Sequence, residues 1–66
     1  MSSRDEVEIE VTVRARTVLA LQVDNGSVVV WVPRSLITDW APDTDNELEI
    51  TSIFMQEWAA IEKGLV

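Results

Sequence analysis

The chain has 66 residues, of which 47% are hydrophobic, and its twelve acidic and five basic residues give a net charge of −7. A chain of this length folds as a single domain, residues 1–66. It contains no cysteine, histidine or tyrosine, which removes disulfides, the thiolate nucleophile, the usual general base near neutral pH and most transition-metal ligands. We therefore predict a protein that is not an enzyme and uses no metal, cofactor or small-molecule substrate.

Hydropathy argues against a membrane protein. The first six residues contain no apolar run of the kind a signal peptide needs, and the longest apolar run, 28–33, is too short to span a bilayer. Together with the lack of cysteine, this favours a soluble intracellular protein. A domain of this size buries a limited fraction of its surface, so a homodimer is a further expectation.

Apolar residues recur at odd positions from Val7 to Val23, interrupted at Thr17 alone. Because successive strand residues point to opposite faces, this pattern predicts one long strand over about 6–23, or two collinear strands. A strand of that length must bend, so we expect it to coil. Its even-numbered face is predicted to be exposed and consists of Glu6, Glu8, Glu10, Thr12, Arg14 and Arg16.

Asn25-Gly26 lies between two apolar runs and predicts a two-residue hairpin with a type I′ turn. One face of this hairpin is aliphatic and therefore buried, whereas Trp31 lies on the other face beside a small residue and is only partly covered. The predicted pairs are Val23 with Val28, Leu21 with Val30, Leu19 with Val32, Gln22 with Val29 and Ala20 with Trp31.

The remaining segments predict a turn, a loop, a strand and a helix. Residues 34–37 form a turn after Pro33, 38–46 have loop composition, and 47–51 alternate like a strand. Ser52 is predicted to cap a helix whose apolar face is Phe54, Trp58, Ile61 and Leu65. The predicted fold class is therefore α+β: a small coiled antiparallel sheet or partly open barrel with one C-terminal helix.

Two acidic clusters indicate the kind of partner. The first is the strand row Glu6, Glu8 and Glu10, and the second is a stretch without a compensating base: Asp39, Asp43, Asp45, Glu47 and Glu49. Such a surface repels nucleic acid and attracts the basic groove of a protein that binds it. The simpler interpretation is that acidic residues keep a small protein in solution.

Trp40 lies within the predicted acidic loop, where few of the neighbouring residues are apolar. Because tryptophan is enriched among interface hot spots, we predict that Trp40 either anchors a partner or contacts the C-terminal helix. The predicted partner-binding residues are Glu6, Glu8, Glu10, Trp40, Asp43, Asp45, Glu47 and Glu49.

A second pattern favours direct binding of single-stranded nucleic acid, through stacking on an aromatic side chain beside cationic residues. The net negative charge opposes this alternative. The residues that would carry it are Arg14, Arg16, Trp31 and Arg34. A third alternative is a structural or assembly subunit, which would bury a large apolar area between copies.

One combination of motifs covers the chain from about residue 18 to residue 66. It consists of Val30-Trp31-Val32-Pro33-Arg34-Ser35, an acidic loop, a Glu-Leu-Glu-Ile strand, Glu57-Trp58 and a Glu62-Lys63-Gly64-Leu65 ending. This combination resembles a class of very short proteins encoded by bacteriophages and prophages. The segment 53–56 departs from that class, because it is longer than the usual approach to Glu-Trp.

The resemblance implies a phage origin and the cytoplasm of a bacterial host. Very small acidic phage proteins include many inhibitors of host defence, among them anti-CRISPR proteins, which occupy the basic surfaces of nucleic-acid-binding effectors. We therefore predict a protein-binding inhibitor or accessory factor whose partner is the basic surface of a nucleic-acid-handling protein.

Overall fold

The computed structural model of the chain describes residues 5–66. Its strands and helix are β1 (Glu6–Glu10), β2 (Thr12–Arg16), β3 (Ala20–Asp24), β4 (Val29–Pro33), β5 (Ile37–Ala41), β6 (Ser52–Gln56) and α1 (Glu57–Glu62). Two 3-10 turns, Arg34–Leu36 and Glu47–Glu49, follow β4 and precede β6 respectively. The strands form two antiparallel sheets, ordered β1-β6-β5 and β2-β3-β4. The α+β class is confirmed, but the sheets are not closed into a barrel.

The predicted long first strand is wrong, because the chain reverses direction after β2. β1 and β2 follow each other across Val11, whose N–H donates to the Thr51 carbonyl at 3.0 Å. A turn then begins at Thr17, whose N–H donates to the Ala20 carbonyl and whose hydroxyl accepts from the Ala20 N–H. Val13 pairs with Val23 across this hairpin. The buried residues Val13, Leu21 and Val23 are all odd-numbered, so alternation alone does not reveal the reversal. A bulge between Val13 and Ala15 shifts the register nearer the turn.

The β3–β4 hairpin forms, but two residues away from the predicted register. Leu21 pairs with Val32 and Val23 with Val30. The connecting loop closes through the Asn25 N–H, which donates to the Val28 carbonyl at 3.2 Å. A type I′ turn needs positive φ at two residues, whereas within residues 5–66 only the glycines have it, Gly26 at 95°. The Asn25 side chain instead accepts the N–H groups of residues 27 and 28.

A shift of two residues leaves each side chain on its predicted face but changes which side chains are covered. Leu21, Val23 and Val32 are fully buried. In contrast, Leu19 and Val28, which were predicted to be buried, are 78% and 37% exposed. Both lie beyond the ends of the paired segment, where the facing strand offers little to pack against.

The C-terminal half differs most from the sequence prediction. Part of the predicted 38–46 loop is β5, the predicted 47–51 strand contains a 3-10 turn, and the predicted helix start is β6. The turn at 34–36 is confirmed. The helical spacing from Phe54 was misleading because it joins a strand to a short helix. That helix buries Ala59 and Ala60, whereas Trp58 is 46% exposed.

The core lies between the two sheets and α1. Its members are Ile9, Val11, Val13, Leu21, Val23, Val32, Ile50, Ile53, Met55, Ala59, Ala60 and Leu65, with Val7, Val30, Leu36, Ile37 and Trp40 packed partly against it. Within residues 5–66, no helix is both long and apolar enough to cross a bilayer.

Candidate functional site

Strand register places acidic side chains from the two outer strands, β1 and β5, on the solvent side of the β1-β6-β5 sheet. Glu8 pairs with Phe54, and Phe54 pairs on its other side with Asp39 of β5. Residues that pair directly share a face, and adjacent strands lie about 4.8 Å apart, so the Glu8 and Asp39 backbones are about 10 Å apart. Glu6 and Glu10 flank Glu8 on the same exposed face of β1.

The loop after β5 adds two more carboxylates to this region. A pocket of about 300 Å³ is lined by Ile37, Thr38, Asp39, Trp40, Asp43, Thr44 and Asp45. The Trp40 indole Nε1 donates to the Thr44 carbonyl at 3.4 Å, which holds the loop against β5. We use the name acidic face for Glu6, Glu8, Glu10, Asp39, Asp43 and Asp45.

Thr38 joins two strands of the acidic face to each other. Its hydroxyl lies within hydrogen-bonding distance of Glu6 Oε2 and, at 3.0 Å, of the Phe54 carbonyl oxygen. The Asp39 carboxylate accepts the N–H of Trp40 at 2.8 Å. These contacts fix the ends of the face on ordered strands, which limits the conformational entropy that a binding partner would have to remove.

The predicted acidic stretch was expected to have no compensating base, and this is wrong for Glu47, which pairs with two arginines. Arg34 donates from Nη1 to Glu47 Oε2 and, at 2.8 Å, from Nη2 to Oε1, while Arg16 Nη1 lies 3.7 Å from Oε1. The Glu47 side chain is only 12% exposed. The hydrogen bonds from Arg34 lower the pKa of Glu47 and raise the pKa of Arg34.

The predicted nucleic-acid-binding set is not assembled as a group of free cations. Arg16 and Arg34 pair with Glu47, and Arg14 donates to Asp24 Oδ2 from Nη2 at 2.8 Å and from Nε at 3.2 Å. The N–H of Gly26 and then the Arg14 guanidinium lower the pKa of Asp24. Trp31 is 45% exposed and lies opposite Gln22, not opposite Ala20 as predicted.

The ion pairs of the described residues lie outside the acidic face. Residues 5–66 form three ion pairs, and none of them involves a carboxylate of the acidic face. Over the same residues, no group of three acidic side chains is arranged to hold a metal ion. Phe54, which is partly buried, lies between Glu8 and Asp39 on this face.

Five of the eight predicted partner-binding residues, namely Glu6, Glu8, Glu10, Asp43 and Asp45, belong to the acidic face. Glu49 lies beside it, accepting from the Thr44 hydroxyl at 3.1 Å. Trp40 is half-buried on β5 and packs against the core, not in a loop as predicted. Asp39 was included in the second acidic cluster but not among the predicted partner-binding residues, and Phe54 was assigned to a helix and not to the site.

Comparison with protein-family models, with curated proteins and with solved structures gives no significant match.

Proposed function

We propose that this chain is a protein-binding inhibitor or accessory factor whose acidic face occupies the basic surface of a nucleic-acid-handling protein. The observation that carries the proposal is the arrangement of charge. Four carboxylates share the solvent face of the β1-β6-β5 sheet, and Asp43 and Asp45 lie in the loop beside Asp39. The arginines at positions 14, 16 and 34 are paired with other carboxylates.

The spacing of these carboxylates supports electrostatic mimicry of nucleic acid. Alternate residues on β1 are about 6.8 Å apart, at about 3.4 Å per residue. Phosphates of one DNA strand are about 3.4 Å apart along the helix axis. The β1 row therefore has about half the charge density of a DNA strand, and Asp39, two strands away, widens the field into a surface.

The resemblance of the 18–66 segment to short phage proteins suggests where to search for the partner. An anti-defence role, such as inhibition of a CRISPR effector in a bacterial cytoplasm, is the form of the proposal that this resemblance favours. Direct nucleic-acid binding is the weaker alternative, because the arginines it needs already have carboxylate partners.

The first experiment is capture of binding proteins from a bacterial lysate on the immobilised chain, followed by elution with duplex DNA. A partner that uses its nucleic-acid groove should be displaced by the DNA. That partner is then purified, and its association with the chain is measured at increasing sodium chloride. Because opposite charges steer the encounter, the association rate should fall steeply as salt rises.

Two double variants distinguish the effect of the acidic face on the association rate from the effect of net charge. Glu8→Gln with Glu10→Gln removes two charges from the face, and Glu57→Gln with Glu62→Gln removes two from α1. We expect the first variant to slow association several-fold and the second to have little effect. Equal effects of the two variants, or a captured partner that duplex DNA does not displace, would refute the proposal.

A further inference from the structure

The two sheets have four edge strands, and one of them differs from the rest. Exposed edges can pair with other chains, and natural sheets protect them with charges, bulges or proline. β1 carries three glutamates, β2 carries two arginines and a bulge, and β5 carries Asp39 and a bulge. β4, with the sequence Val-Val-Trp-Val-Pro, carries neither a charge nor a bulge, and its proline lies at the last position of the strand.

The outer edge of β4 has backbone groups available for pairing. Its hydrogen bonds to β3 are flanked by the Asn25 to Val28 bond at one end and the Arg34 to Leu19 bond at the other. Hydrogen-bonded and non-hydrogen-bonded pairs alternate along an antiparallel ladder, so the backbone groups of Val29 and Trp31 point away from β3. Within residues 5–66, β3 is the only strand paired with β4.

Side chains on the solvent face of β4 are also uncovered. Val29 is 51% exposed and Trp31 is 45% exposed. Gln22 lies opposite Trp31, and Asp24, opposite Val29, is already paired with Arg14. A strand that docks here consequently meets apolar side chains and no unpaired charge from β3.

We propose that two copies of this chain associate through β4, with the two strands antiparallel across a two-fold axis at Trp31. The axis places Trp31 opposite the partner's Trp31, with two backbone hydrogen bonds between them. It also places the Val29 N–H opposite the carbonyl of the partner's Pro33. Because proline has no N–H, each copy leaves one carbonyl, that of Val29, without a partner. Six strands then form one continuous sheet.

A second copy fits this edge because the edge is uncharged and complementary to itself. A specific interface buries at least about 1,000 Å² in total, so each copy must contribute at least about 500 Å², about one eighth of its 4197 Å² surface. Beyond Pro33, a pocket of about 430 Å³ lined partly by the exposed Val18 and Leu19 extends the apolar surface. The antiparallel arrangement brings the partner's Val28 toward this pocket.

The dependence of affinity on salt distinguishes this association from the binding proposed for the acidic face. Two copies, each with a charge of −7, repel one another, and added salt screens that repulsion. The dimer should therefore become tighter as salt rises, whereas binding of a basic partner should become weaker. Failure of one proposal leaves the other testable.

The experiment is sedimentation equilibrium of the full chain over a wide concentration range at low and high sodium chloride. We expect the mass to rise from 7.4 kDa towards twice that value with concentration, and at lower concentration when salt is high. Trp31→Lys should weaken dimerisation by at least about tenfold, because it places a charge on each side of the axis. The matched control is Trp58→Lys, since Trp58 has the same exposure, 46% against 45%.

The two lysine variants also exclude a general effect of net charge on dimerisation. Each variant changes the net charge from −7 to −6, which on long-range repulsion alone would strengthen association. Hydrogen exchange of the wild-type chain provides a readout that needs no variant: the amides of Val29 and Trp31 should exchange more slowly as concentration rises. A mass of 7.4 kDa under all conditions, unchanged Val29 and Trp31 exchange, or dissociation by Trp58→Lys in place of Trp31→Lys would overturn the proposal.

Discussion

Arg34 binds Glu47 through two guanidinium nitrogens, and this pair connects the turn after β4 to the turn before β6. Arg34 also donates to the Thr17 carbonyl, from Nη2 at 2.8 Å and from Nε at 3.1 Å. One side chain thus joins the β2–β3 turn, the end of β4 and the segment that leads into β6. An exposed ion pair contributes little to stability, but the Glu47 side chain is only 12% exposed.

We expect Glu47→Gln to lower the free energy of unfolding by about 1 to 2 kcal/mol, because hydrogen bonds to charged groups are stronger than neutral ones. Urea denaturation followed by circular dichroism measures this change. Glu62→Gln, which removes an exposed carboxylate from α1, is the control and should leave the free energy within about 0.5 kcal/mol of wild type.

The same pair predicts how stability depends on pH. The pKa of Glu47 is lower in the folded chain than its ordinary value of 4.5, mainly because of the hydrogen bonds from Arg34. The folded state therefore binds fewer protons than the unfolded state in the pH range between the two pKa values. The contribution of Glu47 is fully present above pH 4.5 and is lost as the pH falls through the folded pKa.

Denaturation curves measured from neutral pH down to the acid range test this dependence. The wild-type free energy of unfolding should decrease as the pH is lowered from 4.5. The free energy of unfolding of Glu47→Gln should decrease less steeply over the same range. Parallel curves for the two proteins would contradict the assigned role of Glu47. Asp24, whose pKa is also lowered, should add to the fall in both proteins equally.

Leu21→Ala and Leu19→Ala together test the observed β3–β4 register, because the predicted register buried both residues and the structure buries Leu21 alone. Leu21 is fully buried opposite Val32, so truncation should lower the free energy of unfolding by about 2 to 5 kcal/mol. The whole domain has only about 5 kcal/mol or slightly more to lose, so much of the variant should be unfolded. Leu19→Ala, at a site that is 78% exposed, should leave the free energy of unfolding nearly unchanged when both variants are measured by urea denaturation.

Trp40→Ala distinguishes a core role from a partner anchor. Because Trp40 packs against the core and its indole holds Thr44, we expect a loss of about 2 kcal/mol or more in stability. Trp58→Ala is the control, since that indole is 46% exposed. Unchanged stability of Trp40→Ala, combined with weaker partner binding, would instead support the anchor role.

Gly26→Ala tests the conformation of the hairpin loop. Gly26 has φ 95°, and a Cβ added there would meet no atom within 4 Å. The effect should therefore come from backbone strain alone, at about 1 kcal/mol. Gly26→Asn should be less destabilising, because asparagine tolerates this region better. Both values come from urea denaturation, and a neutral Gly26→Ala would exclude the left-handed conformation.

Alternation along the chain predicted the exposed acidic row of β1, because Val7 and Ile9 point inward on the same strand. It could not locate the turn at Thr17, since equal parity on β2 and β3 makes a hairpin and a continuous strand look alike. The bulge between Val13 and Ala15 also escaped prediction. That bulge places Arg16 opposite Leu21, on the face from which it reaches Glu47.

Contacts between distant segments account for the remaining differences. The spacing of Phe54, Trp58 and Ile61 matched a helix, but pairing with β1 and β5 holds Phe54 in a strand. The pairing of Glu47 with Arg34 depends on how two turns meet in space, which local sequence patterns do not encode. Asp39 joined the acidic face for the same reason, through its pairing with Phe54.

The pairing of β1 with β6 determines when the acidic face can exist during folding. Glu6 meets Gln56, about fifty residues further along the chain, whereas β2, β3 and β4 pair with their immediate neighbours. Closing short loops is entropically cheaper than closing long ones, so the local hairpins are expected to form before the β1–β6 pair. During synthesis, β1 lacks its partner strand until residues 52–56 have left the ribosome. The glutamate row is therefore expected to take its place beside β6 only after the local hairpins have formed.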